Sequence, residues 1–97
     1  MSRRGAKSYH TQGNRDRNEG IIVQALEARG YHVDRVKGKG FPDLVVTKHK
    51  GVWFVEVKQL KGTYTPAQME WRSQWTGPQP ICLRTVADAM IFPEVRR

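Results

Sequence analysis

The chain has 97 residues, with 17 lysines and arginines against 9 aspartates and glutamates, and its net charge of +8 suits a polyanionic partner, nucleic acid before any other, with a merely solvated basic surface as the plain alternative. That length holds one small domain with a modest core, in which a buried acid needs a partner or a chemical task. A membrane role is set aside because no apolar run spans a bilayer, and the single Cys82 excludes an intrachain disulfide or a Cys-x-x-Cys pair.

Residues 1–14 are polar and rich in Arg, Gly and Ser, and they read as a flexible basic arm. Arg3, Arg4 and Lys7 there either reach a phosphate backbone or form a plain tail. The charged N-terminus lacks the apolar segment of a signal peptide, so the expected setting is intracellular and reducing, not secreted. Residues 15–97 read as a single domain. From about Arg15 to Arg29 the pattern predicts a helix, with Ile22, Val23 and Leu26 on one stripe, Asn14 as its cap and Gly30 as its stop.

Tyr31 to Val36 alternates like a first strand, and Lys37 to Phe41 is a glycine-rich loop. Asp43 to Lys48 and Val52 to Lys58 are two β-rich runs joined by a turn at His49 to Gly51. Leu60 to Tyr64 is a loop. Thr65 caps a helix that begins at Pro66 and runs to about Trp75, with Ala67, Trp71 and Trp75 on one stripe. Ile81 to Arg84 is a last strand, with Cys82 read as a small buried apolar residue, and Thr85 caps a final helix through about Ile91. The order helix, three strands, helix, strand, helix predicts an α/β domain without internal repeats.

Glu56 and Lys58 stand two apart in a strand and so project to one face. If the turn at 49–51 pairs the two β-rich runs, Asp43 meets both at one edge of the sheet. Two carboxylates and an ammonium in one place suit phosphodiester hydrolysis. The carboxylates are hard oxygen ligands for Mg2+, which polarises the phosphate, and the lysine offsets the charge that builds on it. The carbonyl of Val57 can add a further ligand. Singly, Glu56-Val57-Lys58 is also what a solvated strand face looks like, and Pro42-Asp43 what a turn looks like. The combination is more specific, because Leu44-Val45-Val46 and Val52-Trp53-Phe54-Val55 are strongly apolar, and charges at the ends of such strands are costly unless used.

Glu19 precedes Ile22, Val23 and Leu26 by three, four and seven residues and shares their stripe. It is either a third ligand or water-holder, or a helix-start acid that favours the positive end of the dipole. Gln68, three and seven residues before Trp71 and Trp75, either bonds a phosphate or bound water, or is a satisfied polar residue at a helix start.

The linked set Gly40-Phe41-Pro42-Asp43-Leu44, Glu56-Val57-Lys58, then Gly62, Thr65, Gln68 and Trp71, resembles the virus-type replication-repair nuclease (VRR-Nuc) domain of the PD-(D/E)xK superfamily. Glu19 ahead of the Gly30 turn fits the same pattern, as does Leu83-Arg84-Thr85 followed by Asp88. The resemblance covers about Asn18 to Ile91. It implies a restriction-endonuclease-like fold, an αβββαβ core with a mixed four-stranded sheet flanked by helices. It also implies hydrolysis with Mg2+ or Mn2+, with Glu19, Asp43, Glu56, Lys58 and Gln68 as the active-site set. Stand-alone members, often viral, look like Holliday-junction resolvases, which act as homodimers on branched DNA. Where the family often has serine, this chain has Thr65 and Thr85, which keep the capping hydroxyl.

His10, His32 and His49 have no metal-site spacing and read as surface or turn residues. Lys37, Lys39, Lys48, Lys50, Lys61 and Arg72 flank the expected site, and Lys37, Lys39, Lys61 and Arg72 are its candidate DNA contacts. Trp53, Trp71 and Trp75 read as core or interface, and Arg84 as the partner of an acid. The leading expectation is an endonuclease on four-way junctions, which needs two symmetric cuts and therefore a homodimer. The alternatives are a flap or nicking nuclease and a non-catalytic DNA-binding module, whose carboxylates would weaken binding to DNA unless a metal were present.

Overall fold

The computed structural model describes residues 14–95. The basic arm expected over residues 1–14, with Arg3, Arg4, Lys7 and His10, lies outside them except for Asn14, which is already helical. The elements follow as α1 (Asn14–Ala28), β1 (His32–Arg35), β2 (Leu44–Lys48), β3 (Gly51–Val57), α2 (Pro66–Gln74), β4 (Ile81–Leu83) and α3 (Val86–Ile91). This is the expected order, with ends displaced by a residue or two.

The four strands form one sheet in the order β1-β2-β3-β4. β1 and β2 pair antiparallel, as do β2 and β3, whereas β3 and β4 run parallel, so the sheet is mixed. The β2–β3 hairpin closes with only His49 and Lys50 between the paired Lys48 and Gly51. Both turn residues have positive φ, 52° and 70°, as a tight turn that follows the sheet's twist requires. The parallel β3–β4 pair needs a crossover connection, and α2 supplies it.

Strand alternation divides β3 between two faces. Trp53, Val55 and Val57 face α1 and α3, where Trp53 meets Tyr31 and Phe92 edge to face at 5.8 and 5.5 Å. The core lies on this side and contains Ile22, Val23, Leu26, Leu44, Val46, Val55, Val57, Leu83, Ala89 and Phe92. Ile22 and Leu26 are fully buried there, each worth about 1.5–3 kcal/mol. α1 stops in a glycine-terminated cap: Tyr31 N donates to Leu26 O, Gly30 N donates to Glu27 O, and Gly30 has φ 91°.

Phe54, Glu56 and Lys58 face the other way, toward α2. Phe54 packs on Trp75 at 5.4 Å and on Phe41 at 6.0 Å. α2 begins as the sequence predicts, with Thr65 and Gln68 forming a reciprocal capping box ahead of Pro66. A helix of only nine residues covers this face. No helix among the described residues is long and apolar enough to cross a membrane.

Three expectations are adjusted. Cys82 is half-buried rather than buried, because it lies in register with Glu56 on the strand next to it, not in the core. The Arg84 side chain serves backbone, its Nη1 donating to the carbonyls of Gln59, Leu60 and Gly62 and so fastening the loop before α2, while the acid it partners, Asp88, accepts from its backbone N at 2.7 Å. Lys48 and Lys50 do not flank Asp43. They stand at the hairpin end, a strand's length away, where Lys48 Nζ donates to Arg29 O at 2.6 Å.

Candidate active site

Asp43 stands one residue before the Leu44–Val55 pair and is therefore in register with Glu56. Its backbone carbonyl accepts from Val36 N, which continues the β1–β2 ladder, and buried Pro42 fixes the approach. Its side chain completes the ladder on the other side, where Oδ2 accepts from Val57 N at 2.8 Å. Because a strand residue's N–H and C=O point the same way, the Val57 carbonyl also faces Asp43.

Glu56 is 2% exposed and Gln68 6%, so both lie in a nearly dry space between β3 and α2. Gln68 Nε2 donates to Glu56 Oε2 at 2.5 Å. Gln68 Oε1 accepts from Lys58 Nζ at 2.7 Å and from Thr65 N at 2.9 Å. In this orientation every contact of the amide joins a donor to an acceptor, and the flipped amide would face a carboxylate with its oxygen. The capping box thus does two things. It starts α2, and it locks the one side chain that joins the carboxylate to the ammonium.

The sheet end is also tied to α1. Asn18 Nδ2 donates to Lys58 O at 3.0 Å and to Arg84 O at 3.3 Å, which ties the ends of β3 and β4 to the helix. Next to it, the Glu19 carboxylate accepts from Arg35 Nε at 2.8 Å. Among the described residues no group of three His, Cys, Asp or Glu gathers into a metal-holding cluster.

The sequence marks Tyr64 only as loop, and the structure places it against the site. Its ring lies 5.6 Å from Lys58 Nζ and 4.5 Å from Arg72 Cζ. Burial and the neighbouring Cys82 push the phenol above its ordinary pKa, while the Arg72 guanidinium pulls it down. The sequence signal is weak: an aromatic residue just before a capping box can turn back onto the fold.

The candidate DNA contacts divide. Lys37, Lys39 and Lys61 are exposed. Arg72 is half-buried over Tyr64, with Nη1 enclosed and without a hydrogen-bond partner. His32 and His49 are exposed, as expected.

The donor set fits a hard divalent cation. Two carboxylates and a backbone carbonyl are oxygen donors, and Mg2+ takes few protein ligands while keeping water and substrate phosphate. Asp43, Glu56 and the Val57 carbonyl are the groups that would hold it. No protein-family model matches the chain, and no curated protein or solved structure matches it either.

Proposed function

We propose that the chain is a Mg2+- or Mn2+-dependent endodeoxyribonuclease of the VRR-Nuc type, with a restriction-endonuclease-like core, that cuts branched DNA. Its substrate in this reading is the four-way junction, cut by a homodimer. The observation that carries the reading is the Asp43 carboxylate held on Val57 N next to Glu56 at the sheet end, with Lys58 held to Glu56 through Gln68.

Asp43 and Glu56 would hold the cation, which would supply charge to polarise the phosphate and to acidify the attacking water. The Val57 N–H fixes Asp43, and the Gln68 amide fixes Glu56, so neither carboxylate has to reorganise as charge develops. Lys58 directs its ammonium at the phosphate and offsets the charge gathering on its oxygens. Lys37, Lys39 and Lys61 add positive charge for the flanking backbone, in keeping with the net +8. Glu19, held by Arg35 at the neighbouring edge, is the third candidate carboxylate of the site.

The test is cleavage of labelled four-way junctions, flaps and plain duplex with Mg2+, Mn2+ or EDTA, beside Asp43→Asn. Paired symmetric cuts, lost with EDTA and in the variant, are the expected result. Cutting of flaps or duplex alone would retain the site and discard the junction. Tight binding without cutting under every condition would make the chain a binding module.

A further inference from the structure

A groove of about 920 Å3 opens beside Asp43 and Gln68, between the loop at Gly38 to Phe41 and the outward side of α2. Gly40 sets its width. It has φ 79°, and a Cβ there would collide with the Ala67 carbonyl, so loop and helix approach as closely as only glycine permits.

The groove has two kinds of wall. Phe41 and Trp71 line it with rings 5.1 Å apart at 72°, and both are only half-buried. Trp71 is backed by Trp75, stacked at 4.8 Å, so the aromatic wall is stiff. Toward the outer end stand Glu70 and Gln74, with Gln74 Nε2 donating to Glu70 Oε2 at 3.2 Å. Lys39 stands on the rim. From Gln68 to Gln74 the helix rises about 9 Å, the scale of one or two nucleotides.

A space of this size takes a small-molecule-sized group, and it is too small for a double helix. Glu70 is a poor neighbour for a phosphate. A carboxylate does, however, accept hydrogen bonds from exocyclic base amines, and a side-chain amide reads base edges too. Aromatic rings stack on any base.

We propose that the groove receives an unpaired nucleotide flanking the scissile phosphate. Its base lies against Phe41 and Trp71, its amino edge meets Glu70 and Gln74, and its phosphate meets Lys39. This rests on the nuclease reading, and among branched substrates it favours junctions that carry unpaired nucleotides beside the cut.

The experiment uses the full chain and matched branched DNAs with either no or two unpaired nucleotides at the branch. Cleavage is followed with Mg2+. Binding is followed separately in EDTA by the emission of 2-aminopurine placed at the unpaired position. The expected result is about a tenfold preference for the unpaired substrate, the low end of what one stacked base contributes, with 2-aminopurine quenched on binding. A Glu70→Ala, Gln74→Ala double variant, which leaves the aromatic wall in place, should lower the preference about threefold by removing the contacts to the amino edge. Equal handling of paired and unpaired DNA, or a preference that the double variant leaves intact, would overturn the proposal. Quenching without cleavage, weakened in the double variant, would keep the groove and reject the nuclease. Cleavage without quenching or preference would keep the nuclease and reject the groove.

Discussion

Gln68 and Glu56 are joined across the helix–sheet boundary by a hydrogen bond of 2.5 Å, and the same amide accepts the Lys58 ammonium. A neutral side chain therefore links a buried carboxylate to an ammonium. Gln68→Leu removes the donor and leaves Glu56 without it, at a cost of about 1–3 kcal/mol. Because the amide also orients both charged groups, cleavage should fall about ten- to a hundredfold. Urea unfolding and single-turnover rates measure the two effects. A variant as stable and as active as the parent would show that the bridge orders nothing.

Asp43 has a structural duty besides its proposed chemical one, since Oδ2 closes the ladder on Val57 N. Asp43→Asn keeps an acceptor there, whereas Asp43→Ala leaves an N–H unpaired. The alanine variant should be less stable than the asparagine variant by about 1–3 kcal/mol, while both lose cleavage. Denaturant midpoints compared with nuclease rates separate the roles. Equal stability of the two variants would mean that solvent replaces the carboxylate at Val57.

Two glycines should respond in opposite directions. Gly40→Ala places a side chain at φ 79° and against the Ala67 carbonyl, and should cost about 1–3 kcal/mol. Gly20→Ala lies within α1 with nothing within 4 Å of the new methyl, and should add about 0.5–1 kcal/mol. Thermal melts of both variants provide the check. A neutral Gly40→Ala would show that the loop does not need its close approach to α2.

The raised Tyr64 pKa makes stability depend on pH at the alkaline end. The unfolded phenol loses its proton near pH 10 and the native one only above that. Between the two values the unfolded state holds fewer protons, so stability falls as pH rises through that window and is untouched below it. Tyr64→Phe has no proton to lose. The Tm of the parent should therefore fall more steeply than that of the variant above about pH 10. Parallel curves would show that the phenol titrates alike folded and unfolded.

The sequence by itself determined the element order and the carboxylate pairing. Two short-range rules suffice for both: strand alternation puts Glu56 and Lys58 on one face, and a two-residue turn returns the chain so that Asp43 meets Glu56. The Thr65 cap and the Gly30 stop were legible for the same reason, because each depends on a few neighbouring residues. Tertiary structure alone decided what the remaining polar groups do. The spacing of Glu19 on its stripe did not name Arg35 as the partner that packing of α1 beside β1 gives it. The Arg84 side chain became the clasp of a loop, and Tyr64 came to lie between Lys58 and Arg72. The same packing opened the groove between the glycine loop and α2. These outcomes depend on which side chain arrives opposite another after the chain has crossed from β3 through α2 to β4, and no local periodicity encodes that.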